Sequence, residues 1–346
     1  MILLQPILSL IDSTLMPLST LLVCVFGSAG DIIKFILLFI LLVILPGAAF
    51  YVYAIFYAGR QVILNTLKRK NDEHWSRSAP IEDPNQQKMD LLGQEWFREH
   101  EHLKQDVHIF NNGANLYGQY FDLGFDKTVI ILSGRTESLR YGFFFAKPYS
   151  DNGFNLLVID ARSHGKSDGT YNTVGFEESK DAIAWAKFIN ETYNIETIVF
   201  HGICIGAATG ILALTNENCP SCVKGIVTEG MFKNFGASME NHVIENKKNW
   251  FLVMQAIDFW FKHYTGHTMT KGPIDFIDKM DKPILMLQSK EDPYSTPENA
   301  QKLFDKCKSK NKKLVYFEKG GHSLLRITDM SLYDGSIGEF IKTYFY

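Results

Sequence analysis

Beyond about residue 104 the chain alternates between short apolar runs and longer segments with one apolar face. The short runs are continuous in aliphatic and aromatic residues, a pattern typical of buried strands. We predict eight strands, at residues 106–110, 115–121, 128–132, 155–160, 197–201, 225–229, 283–288 and 313–318. An "NNG" turn follows the first of them and predicts an antiparallel hairpin with the second.

The segments between the later strands predict helices around residues 177–193, 206–214, 297–307 and 332–345. Strands that alternate with helices form a mostly parallel sheet covered by helices on both faces. Residues 231–278 interrupt this rhythm with "NWFLVMQAIDFWFKHY", which predicts an inserted helical segment. Such an insertion is either a lid or acyl-binding wall above the sheet, or a set of helices that only packs on it.

The N-terminal region is strongly apolar. Between residues 32 and 57 only Lys34 is charged, and at ~1.5 Å per residue a helix of this length crosses a ~30 Å hydrocarbon core. Pro46 predicts a kink in that helix. The run is too long and too far from Met1 for a cleaved signal peptide. Residues 2–29 form a second apolar stretch, so a one-span and a two-span arrangement both stay open.

Positive charge after the span predicts its orientation. Little positive charge precedes the span, whereas five basic residues follow it, at Arg60, Lys68, Arg69, Lys70 and Arg77. This asymmetry places the remainder of the chain in the cytoplasm. We therefore divide the chain into a membrane-embedded region at 1–58, a polar linker with a candidate amphipathic helix at 59–104, and a globular domain at 105–346.

Composition narrows the possible partners. A formal net charge of -3 and a pI near 6.4 give no electrostatic support for nucleic-acid binding. Five cysteines scattered through a chain of 346 residues suit a reducing compartment. Cys219 and Cys222 form a CxxC with no second ligand pair nearby, so we predict neither a metal nor a bound cofactor. The sequence does not indicate a protein partner.

The chemistry centres on "GICIG", residues 202–206, which follows a predicted strand and opens a predicted helix. This is the setting of a nucleophile elbow, in which a side chain is exposed at a tight turn beside a helix N-terminus. Here that residue is Cys204. Asp292 and His322 each follow a later strand, at the carboxyl edge where parallel sheets build their sites, and they predict the acid and the base of a triad. Glu291 is the alternative acid, and inert packing is the alternative role of Cys204.

An oxyanion hole would use the backbone N–H groups of Ile205 and Arg135, the second of which lies in "SGRTES" after the strand at 128–132. Together these features resemble the α/β-hydrolase superfamily over roughly residues 105–346. "SGRTES" and "DARSHGKSDG" are similar to segments of its monoglyceride-lipase and lysophospholipase branch, which implies that His164 belongs to a structural turn. Cysteine replaces the usual serine, as it does in the similar dienelactone hydrolases and polyhydroxyalkanoate synthases.

Three functions follow from this pattern. The first is a membrane-anchored hydrolase of an ester or thioester, acting on a small-molecule or lipid acyl substrate through an acyl-enzyme on Cys204. The second is an acyltransferase with the same triad, because a thioester intermediate passes its acyl group to water or to another acceptor. The third is a non-catalytic protein that binds a lipid or a partner.

Overall fold

A computed structural model describes residues 29–69, 83–245 and 251–346. The chain divides into two compact units, Met1–Ala58 and Gly59–Tyr346. Apart from Ala29, the second apolar stretch predicted at residues 2–29 lies outside the described residues, and so do the basic residues Lys70 and Arg77.

The described residues of the N-terminal unit are helical. The elements are Ala29–Phe39 (α1), a π-helical turn at Ile40–Ile44, and Leu45–Thr66 (α2). The π turn ends two residues before Pro46, which has no N–H to donate to the preceding turn. The helix from Gly30 to Thr66 has 37 residues and a mean hydropathy of 2.8 in its apolar window, so by length and composition it qualifies as a membrane span.

The larger unit is built on one eight-stranded sheet, as the sequence predicts. The strands are β1 (Lys104–Asn111), β2 (Ala114–Phe121), β3 (Lys127–Leu132), β4 (Asn155–Ile159), β5 (Thr197–Ile203), β6 (Val223–Glu229), β7 (Ile284–Ser289) and β8 (Lys312–Phe317). Their order across the sheet is β1-β2-β4-β3-β5-β6-β7-β8. The β1–β2 and β2–β4 pairs are antiparallel and the five others are parallel. The mostly parallel sheet is therefore confirmed.

Helices cover both faces of the sheet. The longer ones in this unit are α3 (Pro84–His100), α4 (Phe176–Tyr193), α5 (Ile205–Leu214), α6 (Phe235–Glu245), α7 (Phe251–Thr265), α8 (Pro297–Lys306) and α9 (Met330–Tyr344). Apolar residues of α4, α5 and α8 share one core cluster with Ile130 and Leu132 of β3. Residues of α3 and α9 share the other cluster with Val129 and Ile131. The alternation along β3 follows from the two-residue period of a strand.

Two helices, α6 and α7, lie between β6 and β7, within the insertion predicted at 231–278. They contribute to a third apolar cluster, which we call the α5–α7 cluster. Its buried members are Ile63, Leu67, Val174, Ile205, Ala208, Phe232, Phe235, Ile257, Phe261 and Met269. Cys204, only partly buried, packs against it.

Residues 59–69, at the start of the segment predicted as a polar linker, are part of the larger unit. Gly59 and Ile63, four residues apart, share one face of α2, and Leu67 follows at the same spacing just after the helix ends. Ile63 is 1% exposed and Leu67 is fully buried. After the helix, the Asn172 N–H donates to the Leu67 carbonyl at 2.9 Å, and the Arg69 N–H donates to that of Thr170 at 2.8 Å. The charged residues of this stretch, Arg60, Lys68 and Arg69, lie at its two ends.

Candidate active site

The turn between β5 and α5 forces Cys204 into an unusual backbone conformation. Its φ is 53° and its ψ is -109°, a region that non-glycine residues rarely occupy. A Cβ atom at Gly206 would collide with the carbonyl of Leu132, and one at Gly202 would collide with the carbonyl of Gly206. The two glycines therefore allow the strand and the helix to approach closely, while the turn leaves Cys204 partly exposed. This is the geometry of the predicted nucleophile elbow.

His322 and Asp292 are brought together from the loops after β8 and β7. Nδ1 of His322 lies 2.7 Å from Oδ2 of Asp292. The other carboxylate oxygen of Asp292 accepts hydrogen bonds from the Tyr294 and Ser295 N–H groups, both at 2.9 Å. Asp292 is only 3% exposed, so this carboxylate is held in one orientation. The alternative acid, Glu291, is exposed.

His322 also bonds to Cys204, which completes the arrangement. Burial by itself would lower the pKa of the imidazole, but the negative charge available to Cys204 and hydrogen bonds to Asp292 and Cys204 raise that pKa well above 6.5. Such a shift favours the charged imidazolium form of His322. The structure therefore brings together three of the residues singled out in the sequence.

The loop after β3 carries Arg135 and is held from several sides. The Gly134 N–H donates to Oε2 of Glu137 at 2.7 Å. Nε2 of His164 lies 2.5 Å from the Arg135 carbonyl oxygen, and the Arg135 guanidinium donates to the Thr66 carbonyl at 3.4 Å. His164 is fully buried in this structural role and lies outside the His322–Asp292 pair. Ile205 is the first residue of α5, where helix N–H groups have no partner within the helix.

Glu229, at the end of β6, is a buried carboxylic acid that the sequence analysis missed. Its carbonyl accepts the Cys204 N–H at 2.9 Å. Its side chain accepts the Leu325 N–H at 3.1 Å and the Tyr333 hydroxyl at 2.7 Å. Burial raises the pKa of Glu229 from 4.5 to about 7. Glu229 thus connects the nucleophile turn with the chain that follows His322. The signal in the sequence was an acid closing an otherwise apolar strand, "GIVTE".

A second buried histidine, His201 on β5, continues this network. Tyr333 donates to Glu229, so its oxygen accepts from Nε2 of His201 at 3.2 Å. The other ring nitrogen, Nδ1, then accepts the Tyr149 hydroxyl at 2.8 Å. Burial lowers the pKa of His201 to about 3. When His201 is neutral, each hydroxyl and ring nitrogen in this row of side chains therefore has a hydrogen-bond partner.

The other cysteines in the described residues lie in different surroundings. Cys222 and Cys307 are buried and Cys219 is partly buried, and all three are free thiols. Burial raises the pKa of each of them. Cys204 differs from them in its strained turn and its bond to a histidine.

Comparisons with known proteins agree with this architecture. A family model described as "alpha/beta hydrolase fold" matches residues 127–272. YqkD of Bacillus subtilis, an uncharacterised protein, is 28% identical over 218 residues, which cover 62% of this chain and 70% of YqkD. The Pyrococcus furiosus esterase Pf2001 superposes with a TM-score of 0.61 at 23% identity, over 72% of this chain and 94% of the esterase. An alpha-beta hydrolase from Vibrio vulnificus superposes with a TM-score of 0.55 at 17% identity, over 80% of this chain and 99% of that hydrolase. The chain has the α/β-hydrolase fold.

Proposed function

We propose that this protein is a membrane-anchored hydrolase that cleaves an ester or thioester through an acyl-enzyme on Cys204. The observation that carries the proposal is the placement of His322, which bonds to both Asp292 and Cys204. Cys204 stands on a strained turn at the N-terminus of α5, where the helix dipole favours negative charge. The Pyrococcus furiosus neighbour is described as an esterase, which supports the same reaction class.

In the first half of the reaction, the Cys204 thiolate attacks the carbonyl carbon of the substrate. The carbonyl electron pair moves onto oxygen, and the N–H groups of Ile205 and Arg135 stabilise that oxyanion. The oxyanion collapses, the bond to the leaving alkoxide or thiolate breaks, and the His322 imidazolium protonates the leaving group. Asp292 holds the ring in one tautomer and stabilises its positive charge.

In the second half, neutral His322 removes a proton from water as its oxygen attacks the Cys204 thioester. The tetrahedral intermediate expels the Cys204 sulfur, releases the carboxylic acid and restores the thiolate–imidazolium pair. No cofactor enters this scheme.

The anchor is proposed from the long apolar helix. None of the residues in the most apolar part of this helix is buried. The helix ends at Thr66, and the basic residues Lys68 and Arg69 follow within one turn. Positive charge on that side of a span favours a cytoplasmic location for the residues that follow it. The insertion containing α6 and α7 is proposed as the lid, because its residues Phe232, Ile257 and Phe261 share the α5–α7 cluster with Ile205.

The test is to profile purified full-length protein against acyl esters and acyl thioesters of increasing chain length, with Cys204→Ala as the inactive control. Release of free acid by the wild type alone would support hydrolysis. Transfer of the acyl group to an added alcohol or amine, in preference to water, would assign an acyltransferase instead. Failure of the folded protein with both substrate classes would overturn the catalytic proposal.

A further inference from the structure

Tyr294, two residues after the proposed triad acid, contacts both the acid and the base. Its N–H donates to Oδ1 of Asp292 at 2.9 Å. Its ring forms a T-shaped contact with the His322 imidazole, with the ring centroids 5.6 Å apart and the planes at 82°. Gly230 also lies beside that imidazole, because a Cβ atom at Gly230 would come within 3.4 Å of its Cε1 and Nδ1 atoms. Packing therefore holds the base in addition to its hydrogen bonds.

The carbonyl of Tyr294 is held by the inserted helix α6. Nδ2 of Asn241, a half-buried side chain on α6, donates to that carbonyl at 3.1 Å. The two residues are 53 positions apart in sequence. The hydrogen bond therefore forms only when α6 lies on the acid loop, as we call residues 290–296 between β7 and α8. One side chain of the insertion thus reaches the loop that carries Asp292.

A different side of α6 packs beside the nucleophile. Phe235 is buried in the α5–α7 cluster, and Met239 packs against that cluster, as Cys204 does. Phe235 and Met239 are spaced i and i+4 and share one side of the helix. Asn241 lies about 200° further around the helix axis than Met239, at about 100° per residue. The helix therefore contacts the region of the nucleophile with one side and the acid loop with another.

We propose that Asn241 is a positioning residue that couples the inserted helix α6 to the triad. It holds the Tyr294 carbonyl, and Tyr294 in turn holds Asp292 and His322. The inference rests on the proposed function and deepens it, because it makes the insertion a condition for the alignment of the triad as well as a cover for the site. A displacement of about 1 Å at a reacting group lowers a rate by up to about 100-fold, so a hydrogen bond that fixes the acid loop has a measurable effect on turnover.

The test is to remove the donor from purified full-length protein without weakening the helix. Asn241→Ala does this, because alanine has a higher helix propensity than asparagine. The variant should keep its Tm within about 2 °C of wild type. Its kcat on a short-chain activated ester should fall by about tenfold, with KM changed by less than about twofold. Asn241→Leu, which keeps the size of the side chain but not the donor, should behave in the same way.

Asn234→Ala is the matched control in the same insertion. Asn234 donates to the Thr270 carbonyl at 2.9 Å and accepts the Ala237 N–H at 2.8 Å, so its bonds stay within the insertion. Loss of this cap at the start of α6 should lower Tm by a few degrees and leave kcat within about twofold of wild type. The two variants therefore have crossed effects, one on turnover at unchanged stability and the other on stability at unchanged turnover.

A second measurement needs no substrate. The reactivity of the Cys204 thiol depends on its bond to His322. Alkylation of Cys204 by iodoacetamide, followed by mass spectrometry of its peptide, should therefore be about threefold slower in Asn241→Ala and unchanged in Asn234→Ala.

The outcomes separate this inference from the proposed function. Unchanged alkylation in Asn241→Ala would overturn the inference, and so would equal slowing in both variants, which would indicate a general loss of stability. A rise in KM with kcat unchanged would also overturn it, because α6 would then only line the substrate site. If the wild type cleaves neither esters nor thioesters while Asn241→Ala alone slows alkylation, the hydrolase proposal fails and the coupling stands.

Discussion

Two histidines near the carboxyl edge of the sheet, the fully buried His201 and the partly buried His322, have opposite properties. His201 lies between the hydroxyls of Tyr149 and Tyr333, and burial lowers its pKa to about 3. For His322, burial also opposes the charge, but Cys204 and Asp292 raise its pKa well above the ordinary value. The same residue type is thus a neutral hydrogen-bond relay in one place and a cation in the other.

The partners of each histidine explain the difference. Hydroxyl groups satisfy a neutral imidazole without supplying charge, whereas a carboxylate and a thiol supply negative charge to an imidazolium. Glu229 links the two regions because its carbonyl holds Cys204 and its side chain holds Tyr333. We expect substitutions around His322 to affect activity and those around His201 to affect stability.

The largest expected effect comes from removing the nucleophile or its base. Cys204→Ala and His322→Ala should each lower kcat by about 10⁵-fold, and the double variant should be no worse, because members of one catalytic unit are non-additive. Turnover of an activated ester measures this, with Cys219→Ala as a matched cysteine control that stays active. Full activity of Cys204→Ala would reduce Cys204 to a packing residue.

Removing the charge behind His322 should have the next largest effect. Asp292→Asn keeps the size of the side chain but no longer stabilises the imidazolium or fixes its tautomer, so kcat/KM should fall by about 10³–10⁴-fold. Glu291→Gln, at the exposed neighbour, is the matched control and should stay within about twofold of wild type. A reversal of these two results would make Glu291 the triad acid.

Much of the fold could be predicted because its signals are local. Continuous apolar strands such as "TVIIL" and "NLLVI" are buried on both faces, and the eight predicted strands correspond to the observed ones. The residues 59–69 were harder to assign. Gly59, Ile63 and Leu67 form their apolar face, and the burial of that face depends on distant helices that no local pattern identifies.

The residues of the candidate site also differ in how clearly the sequence predicts them. Cys204, Asp292 and His322 stand out because each follows a strand in an otherwise apolar region, and the fold brings these edges together. His201 lies inside β5 and Glu229 ends β6, and their side chains bond to tyrosines that are distant in sequence, Tyr149 and Tyr333. Such a network depends on tertiary packing, so periodicity gives no indication of it.

Glu229 gives a pH-dependent way to test the link between the two histidines. Its pKa in the fold, about 7, lies above the ordinary 4.5, so the folded state favours the protonated acid. The resulting stabilisation is fully present below pH 4.5 and is lost as the pH rises through 7, by roughly 2–3 kcal/mol. Glu229→Gln stays neutral, and its free energy of unfolding relative to wild type should therefore rise by about that amount between pH 4.5 and 7.5. Parallel unfolding curves across this range would contradict a raised pKa.

The smallest effect is expected at the far end of the His201 network. Tyr149→Phe removes the hydroxyl that donates to Nδ1 of His201 and leaves a buried acceptor without that partner. Such a loss costs about 1–2 kcal/mol of unfolding free energy, seen as a fall of a few degrees in Tm. Because His201 stays neutral and His322 keeps Asp292 and Cys204, kcat should change by less than about twofold. Tyr346→Phe is the control and should leave Tm nearly unchanged, because Tyr346 is 72% exposed and its hydroxyl donates only to the Asn152 carbonyl near the surface. A large fall in kcat for Tyr149→Phe, at unchanged Tm, would instead place the His201 network in the catalytic machinery and remove the distinction between the two histidines.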